Sequence, residues 1–330
     1  MPATAILGLG HDLPPRVVTN EDLAAQLRID PFHFGTATGI TRRHYAEPGV
    51  GPSDLAAAAA RMALTRAGIG AGDVEMVVFA TMTPDVAFPG SGCFLQPKLG
   101  LGTVGALDIR AQCLGFLFGL VVADRFVSAG IYDRVLLATG EVHSTALDLS
   151  PAGAGVSALF GDGAAAAVLG PSDRGGLRAA VLHTDATDYE KFWCEYPASR
   201  QHPVRMTLDD LHAGRHYMRL ELADLDARAP VLFRSAIGEA LDRGGARERD
   251  VAHYFLHYVH PPIALQTAAA MGLDRGRVTA VAQRAGHIAA VSLPLALSLA
   301  LEEGTARTGD LVCLAAVGAG LNWGAALLEL

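Results

Sequence analysis

Cys113 is the residue whose type and setting most suggest chemistry. It stands in Leu107-Asp-Ile-Arg-Ala-Gln-Cys-Leu-Gly-Phe-Leu-Phe-Gly-Leu, where an apolar strand gives way to a long apolar helix. Free backbone N–H groups and the positive end of a helix dipole favour a thiolate, so the thiol pKa is expected below its ordinary value of about 8.5. A thiolate of that kind attacks carbonyl carbon and carries an acyl group as a thioester. A free cysteine is also a good small core residue, and basic partners must decide between the two readings. His253, His257 and His260 in Ala252-His-Tyr-Phe-Leu-His-Tyr-Val-His-Pro-Pro supply candidates, as does His287 in Arg284-Ala-Gly-His-Ile-Ala-Ala. If residues 252–259 form a strand, His253 and His257 share a face and His260 lies beyond its end. His287 follows a glycine and is expected to open a long helix, mirroring Cys113. No acidic or cysteine ligand stands near the histidine cluster, and its spacing is that of neither HExxH nor a zinc finger, so no metal is expected.

Positioning these groups falls to an alternation of short apolar runs and helix-like stretches. Strands are expected over 4–9, 74–80, 104–109, 135–140, 164–169, 177–183, 252–259, 311–316 and 323–328, with helices over 54–67, 113–129 and 287–301; this is α/β architecture. The last two helices are apolar nearly all round and must be covered on every side, between two sheets. Two halves of like topology, 1–170 and 171–330, follow from that placement, although no strong sequence repeat relates them. Segment 185–225 concentrates Tyr189, Phe192, Trp193, Tyr196, His202, His212, His216 and Tyr217, and reads either as an irregular insertion over the core or as a cap over an active-site mouth.

The 330 residues are 51% hydrophobic yet only 18% charged and 6% aromatic, which excludes disorder and gives room for a large core. Mean hydropathy is +0.29, but charges and Pro294 interrupt every apolar stretch short of a membrane span, and the start has no basic region before its apolar run. A cytoplasmic protein without membrane association is expected. The net charge of −8 argues against a nucleic-acid partner and for a small-molecule or protein-borne substrate. Cys93, Cys113, Cys194 and Cys313 form no CxxC pair, and at least three of them are expected to be plain buried residues. Arg243, Arg247 and Arg249 cluster, but interleaved acidic residues dilute their field.

From end to end the chain resembles the β-ketoacyl-acyl-carrier-protein synthase III family of the thiolase superfamily. The resemblance rests on Gly8-Leu-Gly-His-Asp-Leu-Pro-Pro-Arg-Val-Val-Thr-Asn-Glu-Asp-Leu, Thr38-Gly-Ile-Thr-Arg-Arg, Ala80-Thr-Met-Thr-Pro-Asp with Phe88-Pro, the Cys113 segment, Phe160-Gly-Asp-Gly-Ala-Ala-Ala-Ala-Val-Leu, and Gly318-Ala-Gly-Leu-Asn-Trp-Gly-Ala-Ala-Leu, in that order and spacing. It implies a five-layer αβαβα fold of two similar halves and a homodimer. It also implies Cys113 as acyl-accepting nucleophile, His257 and His287 as its catalytic partners, and backbone N–H groups of Cys113 and Ala319 as an oxyanion hole. Phe88 would reach into the partner subunit's acyl pocket, and Phe160 and His260 would belong to the substrate pocket. No cofactor is implied, since coenzyme A or acyl carrier protein arrives with the acyl group as substrate.

Departures from the family pattern point to a specialised-metabolism relative. His287 stands where the family has Asn, and Leu256-His257-Tyr258-Val259-His260 where it has Pro-His-Gln-Ala-Asn. A tryptophan and an arginine that hold the coenzyme A adenine become His33 and Ala37, and two further arginines become Ala154 and Pro262. The expected activity is decarboxylative condensation of an acyl-Cys113 with a malonyl-type thioester. Transfer of the acyl group to a hydroxyl or amine is the alternative, and a non-catalytic partner subunit the third reading.

Overall fold

The computed structural model describes residues 3–330, with Met1 and Pro2 outside the described residues; the first strand, expected over 4–9, is observed over Ala3–Asp12. Ten strands build two five-stranded sheets. The first contains β1 (Ala3–Asp12), β2 (Met76–Ala80), β3 (Gly105–Ile109), β4 (Val135–Glu141) and β5 (Gly163–Ser172), in the order β1-β5-β4-β2-β3. The second contains β6 (Gly176–Thr184), β7 (His253–His257), β8 (Val278–Ala280), β9 (Leu311–Gly318) and β10 (Asn322–Glu329), in the order β6-β10-β9-β7-β8. In both, the two pairings from the chain-first edge are antiparallel and the next two parallel, so one topology occurs twice.

Six helices matter for the site: α1 (Pro31–Thr38), α2 (Pro52–Ala67), α3 (Gly115–Ser128), α4 (Leu222–Gly244), α5 (Pro261–Ala270) and α6 (Ser292–Glu302). Local sequence sets their ends. In α2, Pro52 sits in the first turn, Asp54 accepts from the Gly51 N–H at 3.0 Å, and Gly68 closes the helix in the left-handed conformation. Helix α2 packs on the outer face of the first sheet, α4 and α5 cover the outer face of the second, and α3 and α6 lie between the sheets. That is five layers, helix, sheet, helix, sheet, helix.

Burial along the central helices differs between the two. From 287 to 300 nearly every residue is buried, each large apolar side chain contributing about 1.5–3 kcal/mol. In α3 a stripe at Phe118, Val121, Val122 and Arg125 is only partly covered or open, because it faces the side of the sandwich where edge strand β3 is itself exposed. The expectation of complete coverage along 113–129 is corrected to that extent. The cysteine expectation also needs correction: only Cys113 and Cys313 are buried. Cys93 faces outward from a short surface helix, and the exposed Cys194 donates its S–H to backbone carbonyls of Tyr196 and His216.

Candidate active site

Cys113 is presented by a turn ahead of α3. Gln112 adopts φ 46°, in the left-handed region that costs a non-glycine residue about 1–3 kcal/mol, and a single 3-10 turn over Gln112–Leu114 hands the chain to the helix. Asn322, at the start of β10, holds this turn: its amide donates to Gln112 Oε1 at 3.2 Å and to the Ala319 carbonyl at 2.7 Å, while Thr184 Oγ1 donates to its carbonyl oxygen at 2.6 Å. Two backbone N–H groups, that of Ala319 and Cys113's own, are directed at Sγ. Close approach requires small neighbours. A Cβ on Gly115 would lie 2.8 Å from Ala290 Cβ, on the segment leading into α6.

The thiol is 2% exposed, and burial pushes its pKa up to about 12 despite the two backbone N–H groups. This reverses the expected lowering: loss of water on burial outweighs the helix terminus, and the sulfur is protonated at neutral pH.

His287 Nε2 lies 3.6 Å from Cys113 Sγ, and the rings of His287 and His257 are 4.6 Å apart. One ligand atom from each of Cys113, His257 and His287 fits within 4.8 Å of the others, and all three residues are buried. His287 does not open a helix. It forms an isolated bridge with Phe160, five residues before α6, its N–H donating to the Leu159 carbonyl at 2.8 Å. Gly286 (φ 76°) makes the turn into that bridge.

Hydrogen bonding fixes the proton on His287. The Ala289 N–H donates to Nδ1 at 3.3 Å, so in the neutral ring the proton sits on Nε2 and points toward the sulfur. His257, at the end of β7, has no hydrogen-bond partner on either nitrogen. Desolvation, aided by His143, lowers its pKa to about 3, and desolvation together with His257 depresses His287 in the same direction. Both imidazoles are therefore neutral at physiological pH. A neutral thiol, a neutral histidine with a free lone pair and a second histidine offering an N–H converge on one point. The pair can accept a proton and stabilise negative charge on oxygen.

The remaining expected residues are more dispersed. Phe160 is buried and its ring lies 4.7 Å from that of His287, so it belongs to the cluster. His253 shares the strand face with His257 but hydrogen-bonds to Thr279 Oγ1 at 2.8 Å, away from the thiol. His260 is separate too: Nδ1 bonds Asp226 Oδ2 at 2.8 Å and Nε2 the Ala37 carbonyl at 3.2 Å. Both partners are acceptors and Asp226 raises its pKa, which makes His260 an imidazolium tying α1 to α4. Phe88 is 83% exposed, outside the chain's own site. In segment 185–225, Phe192 packs edge-on to Phe160, and Cys194, Tyr196, Met206 and His216 join Met82, Thr83, Val142 and Thr145 around a cleft of about 780 Å³.

Family models described as 3-oxoacyl-[acyl-carrier-protein (ACP)] synthase III and its C-terminal part match residues 107–186 and 241–330. A β-ketoacyl-[acyl-carrier-protein] synthase III from Rhodospirillum centenum is 36% identical over 99% of this chain and 98% of its own length. The chain belongs to the synthase III family. Among solved structures, the 3-oxoacyl-(acyl carrier protein) synthase III of Pseudomonas aeruginosa PAO1 superposes with a TM-score of 0.89 at 32% identity, over 99% of this chain and 98% of that one. The priming β-ketosynthase of the R1128 polyketide biosynthetic pathway gives 0.91 at 28% identity, over 99% and 96%. This synthase III chain is accordingly an enzyme with the thiolase-like fold, a transferase of acyl groups.

Three residues around this synthase III site carry no signal of their own in the sequence: Asn322, Glu141 and His143. Glu141, fully buried, accepts from Thr81 Oγ1, the Met82 and Thr83 N–H groups and Thr83 Oγ1, fixing the loop that leads to the cleft. His143, also fully buried, stands 5.1 Å from Phe160, ring to ring. His33 and Ala37 are exposed on α1. Among the described residues no helix is long and apolar enough to cross a membrane.

Proposed function

We propose that Cys113 is the nucleophile, His257 and His287 its catalytic partners, and that the enzyme condenses an acyl thioester with a malonyl-type thioester. The convergence of Sγ with two neutral imidazoles carries this reading. Sγ attacks the thioester carbonyl while its proton passes to His257, the neighbour with an open lone pair; the tetrahedral oxyanion is met by the N–H groups of Cys113 and Ala319, worth about 3 kcal/mol per donor. Collapse expels the carrier thiolate, which takes the proton back from His257 and leaves acyl-Cys113. In the second half, N–H groups of His257 and His287 bond the malonyl thioester oxygen, carbon dioxide leaves, and the resulting enolate attacks the acyl carbon. Sγ departs as a thiolate that takes up a proton from solvent, the one proton each decarboxylative condensation consumes, and the product is a β-keto thioester.

Phe160 then forms a wall of the acyl site and His260, with α1, its approach. The chain's two halves, 1–170 and 171–330, divide the work: the first supplies the nucleophile and the second both histidines. A homodimer is the working form. The exposed β3 edge, the open stripe on α3 and the exposed Val86, Phe88 and Leu107 make one apolar face of the kind an unpartnered sheet edge does not keep. The substrates are thioesters of coenzyme A or acyl carrier protein, no cofactor takes part, and the enzyme is cytoplasmic.

Intact-protein mass spectrometry after exposure to acyl-CoA thioesters tests the nucleophile: the wild-type chain gains one acyl mass and Cys113→Ala gains none. Adding a malonyl carrier to the acylated enzyme releases carbon dioxide with a chain-extended product; loss of the acyl group to a hydroxyl or amine instead would replace condensation with simple transfer.

A further inference from the structure

His143 stands two residues beyond the end of β4, within the core, and its Nδ1–H donates to the Gly161 carbonyl at 3.0 Å. With a proton on Nδ1 engaged in that bond, the lone pair available for accepting lies on Nε2. That atom is fully buried and has no hydrogen-bond partner. A bare acceptor inside a protein is costly and is normally satisfied by something. Its surroundings indicate by what. The rings of His143, Phe160, His287 and His257 form a continuous run, with successive centroids 5.1, 4.7 and 4.6 Å apart, so that His143 stands one phenyl ring beyond the pair at the thiol. Its chain neighbours Val142, Thr145 and Ala146 line the 780 Å³ cleft together with Met82, whose side chain also packs into the core around Cys113. The ring packed against His143, Phe160, is apolar, and none of the nearby polar groups, Glu141, His257 and His287, hydrogen-bonds to Nε2.

We propose that His143 is a specificity-determining residue, its free Nε2 accepting a hydrogen bond from a hydroxyl carried on the acyl group. The inference rests on the acyl-Cys113 reading and adds the class of acyl donor: hydroxylated acyl thioesters, with the hydroxyl some way along the chain, at the depth of Phe160. A plain alkyl chain leaves the acceptor buried and unpaired, whereas the matching hydroxyl satisfies it. Rejection of analogues that lack the donor is the strongest discrimination such a site produces.

The test is a competition between saturated acyl-CoA thioesters and their monohydroxy counterparts of equal length, the hydroxyl walked along the chain, read as the rate of mass gain at Cys113. For one hydroxyl position the wild-type enzyme is expected to prefer the hydroxylated chain by about 10-fold or more. His143→Leu and His143→Phe, two replacements of different volume in case one fails to fold, reduce the preference to within about 2-fold by loading the plain chain faster. His143→Gln, which keeps an acceptor, retains part of it. Loading of both chains without discrimination at every hydroxyl position, or a preference unchanged in the Leu and Phe variants, overturns this inference alone. Loading by neither chain overturns the acyl-enzyme reading and this inference with it.

Discussion

Gly318 lies so close against Cys113 that a Cβ placed on it would fall 2.4 Å from Cys113 Cβ and 2.6 Å from Sγ. The last residue of β9 is thus a mould for the Cys113 thiol. Gly318→Ala is expected to push the sulfur away from His287 Nε2 and lower the rate of Cys113 acylation by about 100-fold, the penalty of a displacement near 1 Å. It should also cost about 1–3 kcal/mol of stability through overpacking. Adding Cys113→Gly should recover that stability, measured by urea unfolding, without recovering acylation. A Gly318→Ala enzyme that acylates at the wild-type rate would contradict the contact.

In the proposed mechanism His287 acts through a donated N–H, a role that needs no titration. Asn carries an N–H donor of comparable reach, so His287→Asn is expected to retain carbon dioxide release from a malonyl carrier within about 10-fold, while His287→Ala loses about 100-fold or more. Acyl loading should suffer less than decarboxylation in both. Equal loss of the two half-reactions would place His287 in the first step instead.

Acid should weaken the fold through the same imidazoles. His257 has a pKa of about 3 when folded and about 6.5 when unfolded, so between those values the unfolded chain binds a proton that the folded chain refuses. Stability consequently rises with pH across that window and is lost as pH falls from 6.5 toward 3, with His287 adding in the same direction. At pH 5 the cost from His257 alone is on the order of 2 kcal/mol relative to pH 7.5. Urea midpoints at the two pH values should differ less in His257→Asn than in the wild type; an unchanged gap refutes the assignment.

Association through the β3 edge predicts a particle of twice 34.4 kDa by sedimentation equilibrium. Leu107→Lys, which puts a charge on the exposed edge, is expected to weaken the dimer by at least 10-fold. Phe88→Ala should leave the mass unchanged or nearly so while altering which acyl chains load. A wild-type monomer at micromolar concentration would remove the partner's Phe88 from the acyl site.

Much of this architecture is legible in the sequence because nine of the ten sheet strands are short apolar runs, the three-residue Val278–Ala280 being the exception, and the central helices are apolar on almost every face. What escapes is set by long-range pairing. The hairpin of Arg16–Thr19 with Arg42–Tyr45 joins segments across two intervening helices, and its buried Arg43 reads as a surface residue. Its two terminal nitrogens donate to the Val18 and Ala158 carbonyls and Asn20 Oδ1, acceptors that no local pattern brings together, while Nε has no partner. Glu141 is hidden for the same reason, its donors lying 58 to 60 residues away. The Cys113 motif and its histidine blocks are visible, but the thiol's protonation state follows from burial. His287 precedes its helix rather than opening it because Gly286 turns it onto Phe160.

The tight seam between α3 and the segment leading into α6, where Gly115 meets Ala290 and Ala80, gives the enzyme a rigid back wall. Nothing behind the sulfur can recede without parting the two sheets. Divergence in chain length or shape of the acyl group is thereby channelled outward, to Met82, Val142, Tyr196 and the neighbouring loops, and lineages that change substrate should keep the inner alanines and glycines while rewriting that rim.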